Sequence, residues 1–183
     1  MPSALTSKWG HTLDNTEMVG MYEPYPGTQT IVEYISTCER VTKTYPPNTT
    51  LIATIAVNCG GLTAFGDIKK LVVLQNHGSL SVGAAGDHIE DVVIKSNSRG
   101  IYLNSVGSLE IQEAKEGFVI LEGSVTKHVD IRSTDQGSSI WLKNCNFDIW
   151  VGENCGTIVA DCVGYDWTNY INNDCGGAFL LNS

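Results

Sequence analysis

The sequence predicts an all-β chain, coiled as a solenoid of short stacked strands, and three observations carry that prediction. A polar turn closed by glycine recurs about every 19 residues; a β-branched residue stands five or six positions before each of those glycines; and apolar residues two apart follow it. A spacing of two is the period of a strand with one face buried. Self-similarity at a fixed interval near 20 residues marks a repeat architecture.

The turns end at Gly60, Gly78, Gly100, Gly117, Gly137, Gly156 and Gly176, in steps of 18, 22, 17, 20, 19 and 20 residues. The preceding strand of each unit carries Ile55, Val73, Ile94, Ile111, Ile131, Val151 and Ile171, with Ala53, Leu71, Val92, Leu109, Val129, Ile149 and Asn169 two positions earlier. β-Branched side chains pack well on a pleated surface. The following strand carries Leu62/Ala64, Leu80/Val82, Ile101/Leu103, Phe118/Ile120, Ile140/Leu142, Ile158/Ala160 and Phe179/Leu181. A fainter third column reads Val106, Val125, Cys145 and Val163. The unit is too short for a crossover helix, and Asn-Gly hairpin turns are absent, which disfavours a meander. Strands that stack on the previous coil remain. Seven such rungs, about 4.8 Å apart, make a rod roughly 30 Å long. Corner glycines are expected to supply φ > 0.

Residues 1 to 48 lie outside the repeat and read as an N-terminal cap or docking arm; residues 49 to 183 read as the solenoid. Within the arm, "TIVEYIST" (30 to 37) has strand character, and "YPPNTT" reads as a stiff turn before the first full rung. The 183 residues suffice for one domain. No apolar run reaches 18 residues, so no membrane insertion is expected. The formal net charge of −9 disfavours nucleic acid as a partner. The start of the chain lacks the basic and apolar regions of a signal peptide, so the six cysteines are expected to be reduced and packed, with no metal and no cofactor. Cys155 and Cys175 occupy one corner in successive rungs and Cys59 the same corner further down. Stacking of small side chains is the expectation there, with a disulfide or a metal as alternatives.

The residues that carry the pattern, Ile94 to Leu103 and their six counterparts, resemble a single-stranded right-handed parallel β-helix over about residues 51 to 183. Pectate lyases and other polysaccharide lyases, phage tail spikes and fibres, and bactofilins share that architecture. The calcium-ligand aspartates and arginine base of pectate lyases have no counterpart, and bactofilin repeats are more uniform. The chain is most similar to the short oligomeric β-helices of phage particles. That resemblance implies a homotrimer made in the host cytoplasm and carried on the virion. It also implies an N-terminal arm that docks to other virion proteins, and recognition of a host-surface glycan.

If alternate residues point inward, the others form two outer rows. The row before the glycines reads Thr54, Val72, Val93, Glu110, Asp130, Trp150 and Tyr170; the row after them reads Thr63, Ser81, Tyr102, Val119, Trp141, Val159 and Leu180. The second is too apolar for a bare solvated face. It is expected to be an oligomer interface through Tyr102, Val119, Trp141, Val159 and Leu180, or to be covered by the N-terminal segment, or to bind sugar. Tyr102, Trp141, Trp150 and Tyr170 are the candidate sugar-binding aromatics. No catalytic residue is assigned; were the protein an enzyme, Glu110 and Asp130 on adjacent rungs would be the carboxylate pair of a glycosidase. The four histidines are scattered, and no nucleophile elbow, Walker loop or zinc-protease motif occurs. A third reading is a head-to-tail polymer like the bactofilins.

Overall fold

Alternating apolar and polar residues punctuated by polar corners leave the chain one economical course: strand, corner, strand, then back beneath itself. The computed structural model follows it. Described are residues 29–46, 49–123, 125–145, 148–162, 170–171 and 175–182. In chain order the strands are β1 (Gln29–Thr37), β2 (Arg40–Thr44), β3 (Thr49–Asn58), β4 (Gly61–Phe65), β5 (Ile68–Val73), β6 (Ser79–Val82), β7 (His88–Ile94), β8 (Gly100–Leu103), β9 (Ser105–Ile111), β10 (Gly117–Leu121), β11 (Val125–Thr134), β12 (Ser138–Cys145), β13 (Asp148–Asn154), β14 (Thr157–Cys162), β15 (Tyr170–Ile171) and β16 (Ala178–Asn182). Among the described residues there is no helix.

Odd-numbered strands pair only with their odd neighbours, even with even, apart from one contact between β11 and β12, and every pairing is parallel. The fold is a parallel β-solenoid. From β3 to β15 the chain makes about six turns, the span of the seven rungs read from the sequence. Residues 29–44, which fall in the segment read as an arm, add a further rung: β1 runs parallel to β3 and β2 to β4.

Stacking in register makes the core a set of columns. On the odd stack, Ile55, Val73, Ile94, Ile111, Ile131 and Val151 are all but inaccessible to solvent. The third column is longer than the sequence suggests and forms no strands of its own: from Leu51 to Val125 it lies at the start of the odd strands, and at Cys145 and Cys162 it passes to the ends of the even strands β12 and β14. Leu51, Ile68, Ile89, Val106, Val125, Cys145 and Cys162 are successive register partners. Val163 and Asn169 lie outside the described residues.

One inward pair is corrected. Val119 and Leu121, not Phe118 and Ile120, face the core, both at 0 % exposure; Val119 pairs with Ile101 and Ile140. "FVIL" is apolar throughout, so alternation carries no phase there. The first inward residue follows its corner glycine by one to three positions from rung to rung.

The glycine argument also divides. Gly117, Gly137 and Gly176 adopt φ of 77°, 106° and 82°, as a tight corner demands. Gly60 and Gly78 are there for closeness instead: a Cβ would lie 2.3 Å from the Glu39 carbonyl oxygen and 2.1 Å from that of Gly60, the corner one rung earlier.

Beside these corners runs a polar column inside the molecule. Asn58, Asn76, Asn97, Thr134 and Asn154 are buried, with Ala114 in register between Asn97 and Thr134. The Asn58 amide donates to Asn76 Oδ1 at 2.8 Å, and Asn76 donates to Asn97 Oδ1 at 2.8 Å. The Thr134 hydroxyl donates to Asn154 Oδ1 at 2.6 Å. The same amides donate to corner carbonyls, Asn58 to Ser79 and Asn154 to Ala178. Most of these buried polar groups are satisfied across rungs or at the corners; Asn58 Oδ1, at the start of the column, is buried without a partner, and at Ala114 the side-chain relay is interrupted.

The first described rung adds Ile31, Ile35 and Val41 to the core and brings charge beside them. Glu33 and Lys43 pair in register with inward Ala53 and Ala64, so both enter the columns, where they form an ion pair. The Tyr45 hydroxyl donates to the same carboxylate. Burial, then Glu33, pushes the Tyr45 phenol far above its ordinary range.

The cysteines overturn the expectation of reduced, packed thiols. Cys38 bridges to Cys59, and Cys155 to Cys175, with Cα–Cα distances of 4.4 and 4.7 Å. Each bridge ties one corner to the same corner a rung later, where stacking has already brought the Cα atoms within disulfide reach. Cys38 was overlooked as a partner because it belongs to the rung that the glycine repeat does not mark.

Truncating the middle of the amide column tests its weight. Asn76→Ala removes a partner from both Asn58 and Asn97 in a dry site, and is expected to cost about 1–3 kcal/mol. Urea denaturation of the two proteins measures it; an unchanged midpoint would mean that the column is decorative.

Candidate binding surface

The outward residues of the even stack form one unbroken row: Thr42, Thr63, Ser81, Tyr102, Ile120, Trp141, Val159 and Leu180 are successive register partners. Its first three members are polar and its last five apolar. Tyr102, Trp141 and Leu180 are 38 %, 45 % and 52 % exposed. Val159 sits between Trp141 and Leu180 and is buried, at 8 %. Val119, expected in this row, is in the core, and Ile120 takes its place. Phe118 joins the row from the side. Its ring lies over Gly100, where a Cβ would come within 2.6 Å of it, and meets Tyr102 edge-on at 5.0 Å between centroids. That contact holds the tyrosine ring in place.

At the boundary between the polar and apolar halves the surface dips into a groove of about 380 Å³, lined by Ser79, Ser81, Gly83, Tyr102, Asn104 and Glu122, among others. Its wall is a tied loop. Asp87 Oδ2 accepts from the backbone of Ala84 at 2.7 Å and of Gly66 at 2.8 Å, and the Asn104 amide donates to the Ala84 carbonyl. Among the described residues the groove presents one aromatic ring, hydroxyls, an amide and the Glu122 carboxylate, which lies 3.8 Å from Lys143 Nζ, and no cation is itself part of the lining.

On the odd stack the outer row is in the order read from the sequence: Thr54, Val72, Val93, Glu110, Asp130, Trp150, Tyr170. Glu110 and Asp130 are register partners. Two residues that the sequence reading passed over complete the cluster. Arg132 Nη2 lies 2.8 Å from Glu110 Oε1 and its Nε 3.8 Å from Asp130 Oδ2; the Gln112 amide donates to Glu110 Oε1 at 2.9 Å. Both stand two positions after a carboxylate, on the same face of the strand, which is the signal that would have found them. Asp130 Oδ1 is buried and has no hydrogen-bond partner. Burial raises the Asp130 pKa, Arg132 lowers it, Glu110 raises it and His128 lowers it, in that order of weight, and the net direction is up. Trp150, 43 % exposed, lies against Gly152, where a Cβ would come within 2.9 Å of the indole. The Tyr170 side chain lies outside the described residues.

Among the described residues one group has metal-ligand spacing: Glu153, Cys155 and Cys175, with ligand atoms within 4.8 Å of one another. The disulfide occupies both sulfurs. No described helix is long and apolar enough to cross a membrane. Comparison with known proteins finds no matching family model, no similar curated protein and no similar solved structure.

The Asp130 environment sets a pH dependence. Its folded pKa lies above the unfolded value, so its contribution to stability is fully present below the unfolded pKa and is lost as pH rises through the folded one. Asp130→Asn is therefore expected to raise the denaturation midpoint at pH 7 and to leave it unchanged in strong acid, where wild-type Asp130 is neutral in both states. A lower midpoint at pH 7 would show that Arg132 outweighs burial.

Proposed function

We propose that this chain is a non-enzymatic structural protein of a virus particle, a short rigid β-solenoid that self-associates and displays a glycan-binding surface. The observation that carries the reading is the outer row that turns from Thr42, Thr63 and Ser81 to Tyr102, Ile120, Trp141, Val159 and Leu180. An apolar strip along a single rod face is more than a lone chain normally leaves to water. A closed trimer in which Ile120, Trp141, Val159 and Leu180 face the common axis removes that stretch from solvent and leaves Tyr102, at the polar end of the strip, and the odd stack outside. In-register backbone pairing along the rod, stapled by two disulfides, supports a role in an exposed, oxidising setting. The likeness of the repeat to phage β-helices favours a virion as that setting, with the N-terminal segment docking to other virion proteins.

Light scattering tests self-association. Wild type is expected to run as a discrete trimer and Trp141→Glu as a monomer with an unchanged circular dichroism spectrum. A monomeric wild type would sink the interface.

The groove beside Tyr102 supports the display half of the reading. A ring that can stack on a sugar face, surrounded by hydroxyl, amide and carboxylate partners and no lining cation, suits a neutral saccharide. Tyr102→Ala is expected to weaken binding to neutral oligosaccharides about three- to tenfold. Titration on a glycan array measures it, and equal signal from both proteins would remove Tyr102 from the site.

The second reading, a glycosidase-like enzyme, draws on the raised Asp130 pKa, the condition of a general acid. Against it, Arg132 and Gln112 engage Glu110, the carboxylate that would have to act as nucleophile or base. Released reducing sugar, abolished by Glu110→Gln, would reverse that judgement.

A further inference from the structure

Every cysteine of this chain has a counterpart one rung away. Two such pairs, Cys38 with Cys59 and Cys155 with Cys175, are bridged, at sequence separations of 21 and 20. The remaining two, Cys145 and Cys162, are direct register partners on the parallel strands β12 and β14, at a separation of 162 − 145 = 17. Adjacent strands hold partner Cα atoms about 4.8 Å apart, inside the window that a disulfide requires and close to the 4.4 and 4.7 Å of the two bridges present. The described part of their column is otherwise aliphatic, and Leu51, Ile68, Ile89 and Val106 within it are 0 to 2 % exposed. Among the described residues of that column, cysteines stand at two successive positions and aliphatic residues at the others.

We infer that Cys145 and Cys162 form a third inter-rung disulfide, so that the mature chain carries three stacked bridges and no free thiol. The chemistry is ordinary thiol–disulfide exchange with an oxidised low-molecular-weight thiol of the glutathione class. One cysteine thiolate attacks the small disulfide, forming a mixed disulfide and releasing one small thiol. The second cysteine thiolate then displaces the other. Two cysteine thiols lose two protons and two electrons, and one small disulfide is reduced to two thiols. The bridge would join the third column across the rungs that the Cys155–Cys175 corner bridge already borders, so two covalent ties would hold the last turns. It follows that the final covalent form is acquired in an oxidising environment rather than in a reducing cytoplasm.

Alkylation mapping decides the matter. The native full-length protein is equilibrated in a glutathione redox buffer, denatured without reductant in iodoacetamide, and weighed intact. The expected mass carries no added alkyl group and is six hydrogens below that of the reduced chain. No lysine or arginine follows Lys143, so trypsin leaves four cysteines in one peptide. Cleavage before aspartate separates them, at Asp135, Asp148, Asp161, Asp166 and Asp174. The fragment 135–147 is expected linked to 161–165, and 148–160 to 174–183. Two alkyl groups, on Cys145 and Cys162, would overturn the inference, as would either residue linked to any other cysteine or a chain carrying six labels. None of these outcomes depends on the oligomer or on glycan binding, so the inference stands or falls apart from the proposed function.

Discussion

The structure rests on one constraint: each residue lies about one strand spacing from its equivalent in the next rung, with the backbones paired between them. Once Ile94 is set above Val73 and beneath Ile111, the character of each position is shared along a column, and the columns do different work. Aliphatic columns exclude water. The asparagine column satisfies the corners from within. Cysteines that meet in a column become staples. A residue that would be a liability alone, such as a buried amide, is tolerated because the repeat delivers its partner at bonding distance.

The same constraint acts on the first described rung. At β1 and β2 Ile31, Ile35 and Val41 continue three of the columns, while the columns of Ala53 and Ala64 receive Glu33 and Lys43, which pair with each other, and Tyr45 donates to the same carboxylate. Their charges belong to the inward set by register, not by accident of loop conformation. The outer rows are released from core duty, and so can change character along the rod. The even row changes from hydroxyl to apolar at Tyr102, while the odd row changes from aliphatic to charged at Glu110 and to aromatic at Trp150. The surface therefore has distinct zones along a uniform scaffold.

The amino-acid sequence by itself determined that the chain is a parallel solenoid, where most rungs fall and which residues share a row. The repeat in Gly, β-branched and alternating apolar positions states those things directly, since a period of two and a recurrence near 20 residues are one-dimensional facts. The odd outer row, from Thr54 to Tyr170, emerged in the order it was read. Phase was lost only where the sequence is silent: "FVIL" is apolar at every position, and packing alone could put Val119 inside and Ile120 outside. Tertiary structure alone decided the contacts that join side chains across rungs. Asn58, Asn76 and Asn97 look like ordinary turn residues until stacking brings their amides to 2.8 Å. Arg132 is one more surface cation until Glu110 is found within its reach, and Cys38 has no partner until the unmarked first rung is laid against Cys59. These are distances between residues about 20 apart in the chain, and they exist only once backbone pairing has converted that separation into a single strand spacing.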